Sequence, residues 1–135
     1  RYQGYEEAYR KGKRKLNQDL VYTDLSSKAM VEKAVEELKK SGVECILCQD
    51  DYICDEAVRK LSHMGVRIPD QMKVASCHYS RILENYPVTV TSLKFNITEL
   101  GRRSCQVLLD MIHGKTVPDK TLLDYEIILK ESTKG

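Results

Sequence analysis

The sequence predicts an α/β fold: a parallel sheet flanked by helices, in three layers. Two observations lead there. Short, continuous apolar runs at 43–48 and 72–76 alternate with helix-periodic stretches at 27–41 and 50–64, with short loops between them. Gly42, Gly65 and Gly114 each stand just past the last apolar residue of a periodic stretch, where a helix is stopped. Strand, helix and strand joined this way call for parallel pairing through right-handed crossovers.

The elements follow in order. Tyr5, Ala8 and Tyr9 at helical spacing place a first helix over 2–13, closed by the basic run Arg10, Lys11, Lys13, Arg14, Lys15. Those cations suit the negative end of a helix dipole, so the run reads as a solvated helix end rather than a phosphate site. The apolar segment 19–22 reads as a short strand. Ser26 and Ser27 precede Met30, Val31, Ala34, Val35 and Leu38, which set a helix over 27–41 with a serine cap. The run at 43–48 is apolar except for Glu44 and reads as a buried strand. Ile53, Ala57, Val58, Leu61 and Met64 share one face of a helix over 50–64. Arg67-Ile68-Pro69-Asp70 is a turn, and 72–76 is a second buried strand. The β-branched stretch 87–93 should be extended. Asn96-Ile97-Thr98-Glu99 has the form of a capping box and opens a helix carrying Leu100, Val107, Leu108, Met111 and Ile112. Residues 122–129 read as a last strand.

Composition bounds the function. Hydrophobic residues are 41% and charged residues 31%, the balance of a folded soluble chain rather than a disordered one. A net charge of +2 excludes a polyelectrolyte binder of nucleic acid or membrane surface. No membrane span or signal peptide is visible. The chain has no initiator Met and opens directly on a helix-like segment, so the natural start is expected to lie upstream. The five cysteines are an odd set in apolar surroundings, which suggests reduced thiols and a cytoplasmic home. Cys45 and Cys48 look like a metal pair. On a strand, however, side chains three apart point to opposite faces, so both read as small buried residues.

In an open α/β sheet, ligands bind outside the carboxyl ends of the strands. Two loops lie there: Gln49-Asp50-Asp51 and Cys77-His78-Tyr79-Ser80. Asp51 is read as the cap of its helix. Asp50 is then the carboxylate left to accept hydroxyl hydrogen bonds, as sugar recognition requires. His78 stands open between a surface histidine and a partner of Asp50 in the same crevice, with Tyr79 beside it. Paired acids after a strand also suit Mg²⁺, but a further strand-end Asp and a nearby Lys are not found. No nucleophile triad, phosphate loop, zinc motif or dinucleotide fingerprint is present, so nothing marks an enzyme, a cofactor or a metal site.

Taken in order, several motifs resemble one family. Arg1-Tyr2-Gln3-Gly4-Tyr5 with Ala8 is similar to R-x-x-G-[FY]-x-x-A. Cys45-Ile46-Leu47-Cys48-Gln49-Asp50-Asp51 resembles a strand ending in Asn-Asp, and Gly65-Val66-Arg67-Ile68-Pro69 resembles G-[IV]-x-[IV]-P. The 87–93 stretch is similar to the P-x-L-T-T-[IV] crossover. Glu99-Leu100-Gly101 with Leu108-Leu109 and Ile112-His113-Gly114 resembles E-x-G-x-x-A-x-x-L-L-x-x-I-x-G, and Lys130-Glu131-Ser132-Thr133 resembles R-x-S-T. The family is the LacI/GalR transcription regulators, and the likeness covers nearly the whole chain.

The resemblance implies a type I periplasmic-binding-protein-like effector domain, cut off from its DNA-binding headpiece. Residues 1–94 would be the C-terminal subdomain, 95–118 an excursion into the N-terminal subdomain, and 119–135 the return strand. It implies a small-molecule effector, a sugar or similar compound, bound by Arg1, Asp50, His78, Tyr79 and Phe95. It also implies a cytoplasmic homodimer that touches operator DNA only through the headpiece. The sequence departs from the pattern at Asp50, where the family has Asn, and at Ser76-Cys77-His78-Tyr79-Ser80, where the family's Asp is missing. A solute-binding receptor of a sugar transport system, with the same core, is the alternative.

Overall fold

The structure is a computed structural model that describes residues 1–134. Its helices are α1 (Tyr2–Lys11), α2 (Lys28–Lys40), α3 (Asp51–His63) and α4 (Ile97–Ile112). Its strands are β1 (Cys45–Cys48), β2 (Lys73–Ser76), β3 (Thr91–Phe95) and β4 (Tyr125–Ile128). The strand order is β1-β2-β3-β4. The expected parallel pairing holds from β1 to β3, with Ile46 opposite Val74 and Ala75 opposite Thr91. β4 returns antiparallel to β3, with Ser92 opposite Ile128 and Phe95 opposite Tyr125.

The caps explain most of the boundaries. Ser27 accepts a hydrogen bond from the Met30 amide, and Gly42 and Gly65 take φ values of +72° and +68° just past α2 and α3. A side chain at either glycine would be strained in that left-handed conformation. α1 ends at Gly12, earlier than expected, and its last-turn Lys11 pairs with Glu7 at 3.0 Å. β3 begins at Thr91 rather than at Pro87, which has no amide hydrogen to give a ladder.

One expected strand is absent. Residues 19–22 do not join the sheet; Gln18–Leu20 is a single 3-10 turn instead. Asn17 causes this: its side-chain oxygen accepts from the Asp19 amide at 3.1 Å, a local bond that bends the chain away from an extended path.

The core forms where α2 and α3 lie together on one face of the sheet. Val31 and Val35 of α2 meet Cys54, Ala57, Val58 and Leu61 of α3, over Ile46, Cys48 and Val74. Leu83 and Val90 from the loop after β2 close the cluster. β1 alternates as a strand should: Ile46 and Cys48 are buried, while Cys45 and Leu47 are exposed. Cys45 and Cys48 therefore do lie on opposite faces, but only Cys48 is buried as expected; Cys45 is exposed, because its face of this edge strand is not covered. α1 lies toward Cys45 but buries none of its residues.

The C-terminus is bolted into the sheet. Ser132 is fully buried; its Oγ donates to the Val74 carbonyl at 2.5 Å and accepts from the Thr91 amide at 2.9 Å. Glu131 accepts from the Thr89 amide and hydroxyl at 3.0 and 3.1 Å, and this holds its carboxyl below the usual range. α4 is the opposite case. Asn96 caps it through the Glu99 amide at 3.0 Å, but no residue of α4 is buried. Ile97, Leu108, Met111 and Ile112 are all exposed, as are Leu122 and Leu129 farther along the chain.

Candidate functional site

The carboxyl ends of β1 and β2 lie side by side, joined by the Cys77 amide, which donates to the Cys48 carbonyl at 2.8 Å. The loops that follow bring the candidate residues to one edge of the sheet. Arg1 reaches this edge from the start of α1: its Nη1 donates to the Gln49 carbonyl at 3.0 Å. Arg1, Gln49, Asp50 and Cys77 line an open groove of about 1010 Å³. The groove runs on past Tyr5 and Tyr9 of α1, along the outer edge of β1, to Leu16 and Leu20.

The two carboxylates exchange the roles expected of them. Asp50, not Asp51, caps α3: its Oδ1 accepts from the Ile53 amide at 2.9 Å, and its backbone is extended at φ −147° and ψ 178°. A cap side chain reaches the amide three residues on, and only the residue just outside the first turn has the extended backbone to do so. Asp51 is already inside the helix. Its Oδ1 faces His78 Nδ1 at 3.5 Å across the gap between the loops. The Ser80 hydroxyl, then its own amide, His78 and the Tyr52 amide hold the Asp51 carboxyl below the usual range, against a smaller opposing effect of burial.

His78 is placed by Ser76. The buried Ser76 hydroxyl donates to the His78 carbonyl at 2.8 Å and accepts from the His78 amide at 3.1 Å. Tyr79 turns away from the groove. Its hydroxyl donates to Glu84 Oε1 at 2.6 Å, and the ammonium groups of Lys130 and Lys94 lie 5.1 and 6.0 Å from its ring centre. Phe95 ends β3 opposite Tyr125 and does not line the groove. The structure thus brings Arg1 to Gln49, beside Asp50 in one groove, and His78 to Asp51; of the expected effector contacts, His78, Tyr79 and Phe95 do not line that groove.

Five further residues bear on these positions in ways the sequence reading missed. Cys77 lies close enough to Arg1 for the cation to oppose the upward push of burial on its thiol. Glu84 and Lys130 reach Tyr79 from 5 and 51 residues away, and no local pattern marks them. Cys48 and Cys54 are buried beside each other, and their contact raises the Cys48 thiol well above its ordinary value. Among the described residues, no group of three or more His, Cys, Asp or Glu is arranged to hold a metal ion.

Compared with known proteins, residues 1–133 match the model of the periplasmic binding protein-like domain. The chain belongs to that family. HTH-type transcriptional regulator CelR of Thermobifida fusca is 27% identical over 135 residues, covering 98% of this chain and 40% of that protein. Among solved structures, the transcription regulator CcpA of Lactococcus lactis superposes with a TM-score of 0.87 at 23% identity, over 97% of this chain and 49% of the other. The transcriptional regulator CelR–cellobiose complex superposes with a TM-score of 0.81 at 26% identity, over 97% of this chain and 41% of that one. The chain therefore spans less than half the length of these relatives. The resemblance to LacI/GalR-type regulators is upheld, and these relatives are named as regulators, not enzymes. No helix among the described residues is long and apolar enough to cross a membrane.

Proposed function

We propose that this chain is the effector-sensing part of a LacI/GalR-type transcription regulator. It would form one wall of a cleft whose occupant, a small carbohydrate, changes operator binding by the whole protein. The observation that carries the reading is the meeting of Arg1, Gln49 and Asp50 in a groove at the carboxyl ends of parallel strands, in a chain that matches named regulators along its length. A guanidinium and a carboxylate with one oxygen left over from capping can donate to and accept from sugar hydroxyls. The complex of CelR with cellobiose supports a sugar as the class of ligand.

In this reading Arg1 and Asp50 contact the effector from within the groove, His78 reaches it from the neighbouring loop, and Tyr79 and Phe95 act from the loop and strand behind that edge. Residues 1–94 form the C-terminal subdomain and 119–135 its return strand. Residues 95–118 belong to a second subdomain. The unburied apolar face of α4 supports that division, since such a face needs a partner outside the core described above. The protein acts as a cytoplasmic homodimer, without catalysis, and meets DNA only through a headpiece. The transport-receptor alternative has no support among the regulators matched here.

The mechanism is a difference of affinities. A ligand that contacts both subdomains binds one relative pose better than the other, and the headpiece reports which pose prevails. The test is calorimetric titration with cellobiose and a panel of mono- and disaccharides, on the wild type and on Arg1→Ala. At least one sugar should bind the wild type, with markedly weaker binding to the variant. If no sugar binds, the carbohydrate assignment fails.

A further inference from the structure

The loop between β2 and β3 is fastened at both ends of its course. Near β2, the Ser76 turn holds His78. Farther on, the Tyr86 hydroxyl donates to the Asp55 carboxylate of α3, and the Arg59 guanidinium lies 5.8 Å from the Tyr86 ring centre. Between these points the loop has a third attachment, and this one does not go to the core helices. The Tyr79 hydroxyl donates to Glu84 at 2.6 Å, Glu84 pairs with Lys130 Nζ at 3.5 Å, and Lys130 Nζ lies 5.1 Å from the centre of the Tyr79 ring. Each member of this triangle satisfies the other two. The carboxylate offsets the ammonium and accepts from the phenol, and the cation sits where the ring's π-charge is.

Lys130 is itself fixed at its backbone. Its amide donates to Thr91 Oγ1 at 2.8 Å, and its carbonyl accepts from the same hydroxyl at 3.3 Å. Its side chain is only 18% exposed, so the ion pair is partly shielded from water. Lys94, on β3, approaches the same ring at 6.0 Å. The ring that follows His78 in sequence is therefore held by residues on both sides of the stretch that contains α4.

We propose that Tyr79, Glu84 and Lys130 form a link tying the mouth loop of the cleft to the strands that lead into and out of the α4 segment, with Lys130 as the positioning residue. The use of this link, to pass a change in strand pose to His78 and the cleft, rests on the functional reading above; the link itself does not. It is a two-ended contact, so disturbing one end should be felt at the other, which is the coupling observation such a claim requires.

The experiment is amide hydrogen exchange on the ligand-free protein, comparing wild type with Lys130→Met, Lys130→Arg and Glu84→Ala. In Lys130→Met, amides of 77–86 should exchange about fivefold faster or more, while those of α2 and α3 keep their wild-type rates. Lys130→Arg, which keeps the cation over the ring, should stay within about twofold of wild type. Glu84→Ala should speed exchange at 125–130, at the far end. Unchanged rates at 77–86 in Lys130→Met would overturn the link, as would failure of arginine to rescue, or acceleration spread evenly through α2 and α3. No sugar and no DNA enters this measurement, so a failed link and a failed regulator reading are told apart.

Discussion

Asp50 has two duties in this account, and substitutions can separate them. Its Oδ1 caps α3, and the residue lines the groove together with Arg1 and Gln49. Asp50→Ala removes both. Loss of a cap costs about 1 kcal/mol, within a range of roughly 0.5–2. Removing the carboxylate from the positive end of the helix adds about 0.3–1 kcal/mol. For a chain of this size the sum lowers Tm by about 3–8 °C. Asp50→Asn keeps an oxygen that can cap and removes only the charge, so its stability should fall by only the charge contribution, about 0.3–1 kcal/mol. The two variants should nonetheless lose a similar amount of effector affinity, because a hydrogen bond to a charged group contributes about 1.5–3 kcal/mol, or roughly 10- to 150-fold. Thermal denaturation and calorimetric titration on the same preparations read the two quantities. Equal destabilisation by Asn and Ala would refute the capping argument. Full effector affinity in Asp50→Asn would refute the contact.

Other predictions follow from the same geometry. Ser132→Ala strands the Val74 carbonyl and the Thr91 amide in the core and should cost about 2–3 kcal/mol, read by urea denaturation. Leu61, fully buried between α3 and the sheet, should cost about 2–5 kcal/mol as alanine. The Asp51 carboxyl titrates lower in the folded chain than in the unfolded one, so its contribution to stability is whole above the unfolded carboxylate pKa of about 4 and is lost as pH falls through the depressed folded value. Asp51→Asn should therefore flatten the acid side of the stability–pH curve and leave its slope near neutrality unchanged. The exposed apolar face of α4 should make this chain associate on its own, and paired Leu108→Lys and Ile112→Lys changes should lower the mass seen by light scattering at high concentration.

Much of the fold was legible because its signals are local. Ser27 and Asn96 announce their helices, Gly42 and Gly65 close theirs, and β1 and β2 stand out as short apolar runs between periodic stretches. What was misread also had local causes, but of a finer grain. Residues 19–22 are too few for periodicity to decide, and the Asn17 side chain tips the balance toward a turn. Asp50 and Asp51 are adjacent acids, and composition cannot say which of them lies outside the first turn; the extended backbone at Asp50 decides it. The link at Tyr79 was illegible for a different reason. Lys130 reaches it only because β4 returns beside β3, and antiparallel pairing across 30 or so residues leaves no mark in any short window. At the site, the strand-end rule pointed to the edge where Arg1, Gln49 and Asp50 share a groove, but the partners of each side chain needed coordinates. The closing Ser132, read as a family signature, proves to be a buried tie between β2 and β3.

The central claim is that a sugar in this cleft changes what the whole protein does to DNA. The most direct test is the operator affinity of the regulator that contains this chain, measured with and without each sugar of the panel, in wild type and in Asp50→Asn. At least one sugar should shift the wild-type affinity by about fivefold or more. That shift should collapse in Asp50→Asn while the sugar-free affinity stays the same. An operator affinity indifferent to every sugar, or a shift that survives intact without the Asp50 charge, would contradict the account.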